Sequence, residues 1–92
     1  MPVTYVNIEW PNKETDEVYS PSSVVKEYFN SGETLTVQEF LNTCNQSLDI
    51  ASERVREKFG YACTSAQSES QRIEEKCKNF TASEHVKIIS IK

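Results

Sequence analysis

The residue best suited to chemistry is Cys63, which stands just before a predicted helix start after Thr64. The partial positive charge of a helix N-terminus stabilises a thiolate and makes a thiol there more reactive. The end of the preceding helix carries Ser52, Glu53 and Arg54, which could line a shallow cleft beside the thiol, so these four residues are the candidate catalytic group. Because free cysteines usually pack as small apolar residues, and no histidine is near in the sequence, burial of Cys63 is the simpler interpretation.

A second candidate is an anion site in the segment Ser20-Pro21-Ser22-Ser23. The hydroxyls of Ser20, Ser22 and Ser23, together with the free amides of a helix start, could hold a small anion. The ordinary alternative is that Ser20 is an N-cap with Pro21 in the first helical position. A glycine-rich phosphate loop is not expected, since the chain has only two glycines.

Metal and cofactor chemistry is not indicated. His85 is the only histidine, and the three cysteines are widely spaced without a Cys-x-x-Cys pair, so we expect neither a metal site nor a cofactor. The odd cysteine count and the lack of a secretory pattern at the N-terminus favour reduced thiols in the cytoplasm. The apolar runs are too short to cross a bilayer, and the net charge of -4 with no basic stripe argues against a nucleic-acid partner.

The central helix offers a candidate interaction face. Its outer side is polar but poor in charge over its first half, and charged side chains are depleted at the centres of protein interfaces. The residues of this face are Asn42, Asn45, Gln46, Asp49 and Arg56. The alternative is that this side of the helix is simply solvated.

These residues must be positioned by a small set of elements. Alternation predicts strands over residues 3–10, 15–19 and 86–91, and helical spacing predicts helices over 21–29, over 37–59 and after Thr64. Thr36 and Glu39 form a capping box before the central helix, and Gly60 follows its end. The sequence therefore predicts one α+β domain over residues 1–92 with the order ββαααβ. We expect a mainly antiparallel three-stranded sheet packed on one face by three helices, with the last strand beside the first.

Three stretches resemble a small bacterial family of nitrogen-starvation-response proteins: Trp10-Pro11, residues 19–29 and residues 51–63. The resemblance extends from about Trp10 to Phe80, and the block 51–63 is its most specific part. One departure is that the family's first hairpin turn is expected to hold a glycine, where this chain has Asn12-Lys13.

The resemblance implies a context more than a mechanism. Such proteins are encoded in gene clusters with a nitrilase, a radical SAM protein, an acetyltransferase and a flavoprotein, linked to nitrogen limitation and to nitrile or cyanide use. We therefore expect a non-catalytic accessory or interaction protein, whose partner is a protein from the same cluster or a further copy of itself. A small thiol-dependent enzyme or carrier using Cys63 and a small-anion sensor are the two alternatives.

Overall fold

The computed structural model describes residues 3–60 and 64–92, in which four strands form one antiparallel sheet. The strands are β1 (Thr4–Glu9), β2 (Thr15–Ser20), β3 (Thr34–Thr36) and β4 (His85–Ile91), in the spatial order β2-β1-β4-β3. Two α-helices, α1 (Val37–Phe59) and α2 (Thr64–Cys77), and a short 3-10 helix (Ser23–Glu27) complete the described elements. The β1–β2 hairpin and the pairing of the last strand with the first confirm the predicted neighbours.

The predicted three strands and three helices are wrong, because the sheet has four strands and the described residues contain two α-helices. The missed strand β3 is only three residues long, and its last residue, Thr36, is also the N-cap of α1. The sequence pattern there indicates a helix start and is too short to indicate a strand. It pairs with β4, with Leu35 opposite Val86. Strand pairing between such distant segments leaves no signal in local spacing.

The segment predicted as the first α-helix is the 3-10 helix, and its N-cap is Ser22 rather than Ser20. Ser20 is the last residue of β2, and its hydroxyl donates to the carbonyl oxygen of Ser22 at 2.7 Å. This bond fixes the turn that follows the strand, so the helical backbone starts later than the position of Pro21 suggested.

The central helix has the predicted bounds and caps. The Thr36 hydroxyl accepts from the amide of Glu39 at 3.1 Å, and the Glu39 carboxylate accepts from the amide of Thr36 at 3.4 Å. At the other end, Gly60 is in the left-handed conformation with φ of 81° and donates its amide to Arg56 at 2.7 Å. A side chain at this φ would be strained, which explains the glycine.

The first hairpin turn has the backbone conformation for which the family's expected glycine would be suited. Lys13 has a φ of 76°, the left-handed conformation that glycine adopts without strain. Its amide donates to the carbonyl of Trp10 at 2.9 Å, which closes the turn. The backbone of this turn is therefore suited to glycine, although the chain carries lysine there.

The core lies between one face of the sheet and the helices. Fully buried side chains of the sheet pack against α1 and α2; they are Val6, Ile8, Val18, Val86 and Ile88. A bulge in β4 changes its alternation, since Asn7 pairs with Ser90 whereas Ile8 pairs with Ile88, which leaves Ile89 as the extra residue. Ile88 faces the core and Ile89 faces the opposite side by ordinary alternation, whereas the bulge places Ser90 on the same side as Ile89 and turns Ile91 back toward the core. No helix among residues 3–60 and 64–92 is long and apolar enough to cross a membrane.

Candidate functional site

The face of the sheet that the helices leave uncovered, called the open face below, is the most distinctive surface of the molecule. It consists of the outward side chains of β1, β2 and β4 and of Val3 just before β1. Val3, Tyr5 and Ile89 are 46%, 41% and 43% exposed, and these are the exposed large hydrophobic residues of the described chain. All three lie on the open face, so the exposed apolar surface of the described residues is concentrated there.

The open face is ordered by cross-strand contacts. The rings of Tyr5 and Tyr19 meet edge to face with centroids 5.9 Å apart, and Asn7 donates its side-chain amide to the hydroxyl of Ser90 at 3.1 Å. A shallow hollow of about 530 Å³ lies beside this hydrogen bond. Its lining residues are Asn7, Thr15, Asp16, Glu17, Ile89, Ser90 and Lys92. The face thus combines apolar side chains with fixed polar groups, as protein interfaces do.

The β2 edge of the sheet is closed by side chains. Glu69 of α2 accepts from the amide of Tyr19 at 2.7 Å, and Arg72 donates to the carbonyl of Glu17 at 2.7 Å. The amide of Glu17 donates to Asp16 at 2.7 Å. These bonds occupy outward backbone groups to which another strand would have to pair. The β2 edge is therefore poorly suited to pairing with a strand of another chain.

Arg72 is the centre of this closure. Its guanidinium reaches Asp16 at 2.9 Å and Glu69 at 2.8 and 3.0 Å. Hydrogen bonds that Arg72 donates to Glu69, and then to Asp16, raise the pKa of Arg72 against the opposing effect of burial. Burial raises the pKa of Asp16, but hydrogen bonds from Arg72, Trp10 and the amide of Glu17 outweigh it, so that this pKa lies below its usual value. Arg72 and Asp16 are therefore charged at neutral pH, and their ion pair holds α2 against β2.

A cleft between α1 and α2 brings together residues from two of the predicted groups. Its volume is about 350 Å³, and it is lined by Leu48, Asp49, Ser52, Glu53, Arg56, Ala66, Gln67 and Ser70. Ser52 and Glu53 of the candidate catalytic group thus lie beside Asp49 and Arg56 of the candidate interaction face. Arg54 is exposed and does not line the cleft. Cys63 lies outside the described residues, so the thiol hypothesis stays a prediction.

Some of the remaining residues of the candidate interaction face form hydrogen bonds within the chain. Asn45 accepts from the hydroxyl of Ser70 at 2.5 Å, and Asn42 accepts from Gln38 at 3.0 Å. Gln46 is exposed. The face is therefore split between packing against α2 and a surface open to solvent, and its role as an interface stays a prediction.

The predicted anion site consists of residues used by the fold. Ser20 and Ser22 are buried, the Ser20 hydroxyl donates to Ser22, and the Ser22 hydroxyl accepts from the amide of Val24 at 3.3 Å. Ser23 is half-buried. Two of the three hydroxyls thus stabilise the turn after β2, and anion binding by the segment stays a prediction.

Two of the three cysteines belong to the core. Cys44 of α1 and Cys77 of α2 are buried and are not in a disulfide. Burial, followed by the neighbouring Cys77 thiol, raises the pKa of Cys44 well above its usual value, and burial also raises the pKa of Cys77 to about 11. Both are therefore protonated at neutral pH and poor nucleophiles. In the described part of the chain, no group of three or more His, Cys, Asp or Glu residues could hold a metal ion.

The open face was not predicted from the sequence, although its signals are present. Tyr5 and Tyr19 each stand next to a valine of the opposite face, Val6 and Val18 respectively. Alternation in β4 likewise places Ile89 on the face opposite to Val86 and Ile88. The sequence does not show which of the two faces the helices leave uncovered.

Fold and surface together define a small two-layer α+β protein with a partly apolar open sheet face. The chain belongs to the family of the nitrogen starvation-induced protein NitG, whose family model matches residues 5–91. This match confirms the resemblance to nitrogen-starvation proteins, whereas the gene neighbourhood implied by it stays a prediction. Neither a curated protein nor a solved structure matches the chain.

Proposed function

We propose that this protein is an interaction factor of the bacterial nitrogen-starvation response, which acts in the cytoplasm by binding a protein chain over its open face. The observation that carries the proposal is the position of Val3, Tyr5 and Ile89. These exposed apolar side chains of the described residues share one face of the sheet. The family match supports the physiological context.

The physical argument is that a sheet needs cover on both faces when both carry apolar side chains. The helices cover one face, where Val6, Ile8 and Ile88 are fully buried. On the other face, burying an exposed apolar side chain would gain about 25 cal/mol for each Å² removed from water. A protein partner supplies that cover, since clustered exposed apolar residues mark interaction surfaces.

The interhelical cleft gives weaker support for a function of its own. Its charged pair, Glu53 and Arg56, is 3.7 Å apart with both side chains well exposed, an arrangement common on any helix surface. Its described lining includes neither a thiol nor an imidazole. The open face is therefore the better candidate for the surface by which the protein acts.

The test is photo-crosslinking in nitrogen-starved bacteria that express the full chain. A photoreactive phenylalanine analogue is placed at position 89 in one strain and at position 46 of α1 in the control strain. Both positions are exposed, so the two variants should fold equally well. Adducts are digested and the joined peptides identified by mass spectrometry.

We expect a discrete adduct from position 89 that disappears when Tyr5→Ser is added, and a much weaker adduct from position 46. An adduct of equal yield from both positions, or none from position 89, would contradict the proposal. The identity of the peptide joined to position 89 then names the partner chain.

A further inference from the structure

We infer that the chain covering the open face is a second copy of this protein. The two copies are related by a two-fold axis that lies between the two sheets, parallel to the strands and directly above the boundary of β1 and β4, which is called the seam below. This inference rests on the proposed function and names the partner of the same surface. A two-fold axis parallel to the strands sets β1 of one copy over β4 of the other and the reverse. The two sheets then pack face to face at about 10 Å, as in β-sandwiches.

The charges of the seam support this arrangement. Glu9 of β1 and Lys87 of β4 are cross-strand partners and both belong to the open face. The two-fold axis sets Glu9 of one copy over Lys87 of the other, and it does so twice. Within the chain, the Glu9 carboxylate forms a long ion pair, at 3.9 Å, with the highly exposed ammonium group of Lys13, and such a weak contact leaves Glu9 able to pair with Lys87 of the other copy. Opposite charges that meet in this way fix the register of an interface.

The other cross-strand neighbours of the seam are complementary in the same manner. Asn7 is opposite Ser90 in the strand pairing. Lys92 lies beside Tyr5, because its backbone amide donates a hydrogen bond to the Tyr5 carbonyl at 2.8 Å. Under the two-fold axis an amide faces a hydroxyl, and an ammonium group faces an aromatic ring, which attracts cations. At each of these pairs along the seam, the side chain from β1 of one copy therefore meets a complementary side chain from β4 of the other copy.

Ile89 supplies the apolar contact. Ile89 stands at the level of Asn7, beside the shallow hollow that Asn7, Glu17 and Ser90 help to line. The same rotation places Ile89 of one copy over the Asn7 side of the other. A protruding apolar side chain and a hollow at the same level of one face make the surface self-complementary.

The size of the face sets the strength of the dimer. The three strands of the open face, spaced about 4.8 Å apart and each about 20 Å long, give about 300 Å² in projection per copy. Specific interfaces usually bury about 800 Å² of accessible surface per partner, so this one is at the lower end. We therefore expect a weak, reversible dimer that is seen only when concentration is varied.

The test is sedimentation of the full chain over a wide range of concentrations. The average mass should rise from the 10.5 kDa of one chain toward twice that value. The variants Lys87→Glu and Glu9→Lys each place like charges opposite one another in the homodimer, so each alone should self-associate at least tenfold more weakly. An equimolar mixture of the two variants should regain association, because every opposing pair is again of opposite sign.

The mixture separates an interface from a folding effect, since mixing cannot restore a contact within one chain. Arg54→Glu, an exposed charge reversal on α1, is the matched control and should leave association unchanged. A chain that stays at 10.5 kDa at every concentration, or a mixture that stays monomeric, overturns the inference. An adduct from position 89 to a different protein would then keep the proposed function, whereas no adduct would overturn both.

Discussion

The two faces of the sheet are built from the same strands but differ in burial and in the kinds of side chain they carry. On the helix-covered face, Val6, Ile8 and Ile88 have no exposed surface at all. On the open face, apolar side chains such as Tyr5 and Ile89 alternate with Asn7 and Ser90, which bond to each other. The covered face stabilises the fold, whereas the open face is available to a partner.

Two adjacent residues of β4 show the difference between the faces most directly. Ile88 and Ile89 are identical in type and one residue apart, yet one is fully buried and the other is 43% exposed. Regular alternation after Ile89 would have sent Ile91 outward, whereas the shifted register pairs it with the inward Val6. The comparison of the two faces can therefore be tested with residues that differ only in position.

The largest effect is expected from truncation on the covered face. Ile88→Ala leaves a cavity in the core and should lower the free energy of unfolding by about 2 to 5 kcal/mol. Ile89→Ala should change it by less than about 0.5 kcal/mol in the monomer, because its side chain is already in contact with water. Urea unfolding followed by the fluorescence of Trp10, the only tryptophan, measures both.

The control for this pair is concentration. At concentrations that keep the chain monomeric, a dimer interface cannot contribute to the change in the free energy of unfolding caused by Ile89→Ala. Equal losses in the free energy of unfolding for the two variants under these conditions would contradict the assignment of Ile88 to the covered face and Ile89 to the open face.

A smaller effect is expected at the β2 edge, which separates the two faces. Arg72→Ala removes the bonds to Asp16, Glu69 and the carbonyl of Glu17. Hydrogen bonds to charged groups are worth more than neutral ones, but the Arg72 side chain is 38% exposed, so we expect a loss of about 2 kcal/mol. The freed edge should also promote aggregation, which light scattering can follow.

Arg56→Ala is the matched control for the edge. Its ion pair with Glu53 is an exposed helix-surface contact at 3.7 Å, and such pairs contribute about 0.5 kcal/mol or less. A loss for Arg72→Ala as small as that for Arg56→Ala would mean that the edge contacts do not stabilise α2 against β2.

The sequence predicted the features that depend on neighbouring residues. The capping box of Thr36 and Glu39, the end of α1 at Gly60 and the first hairpin all follow from short-range geometry. The sequence did not predict features that depend on distant segments. Strand β3 exists because β4 pairs with it, and Ile91 turns inward because β4 pairs with β1 in a shifted register.

The candidate site shows the same limit. Ser52 and Glu53 do share a cleft with Asp49 and Arg56, because helical spacing places them on one side of α1. Arg54 does not join them, since a residue between two members of one helix face points elsewhere. The open face required knowledge of which side of the sheet the helices cover, and no local pattern carries that information.

The smallest contrast is expected for two serines on opposite faces. Ser20 is fully buried, donates to the carbonyl of Ser22 and accepts from its amide at 3.3 Å, so Ser20→Ala leaves buried backbone groups without these bonds. A lost buried hydrogen bond of this kind costs about 1 kcal/mol. Ser90→Ala removes only the bond from Asn7 on the open face, where water can take its place, and should cost about 0.3 kcal/mol. Urea unfolding of the monomer measures both, and a greater loss for Ser90→Ala would show that the open face stabilises the single chain, which would weaken its assignment as a surface kept for a partner.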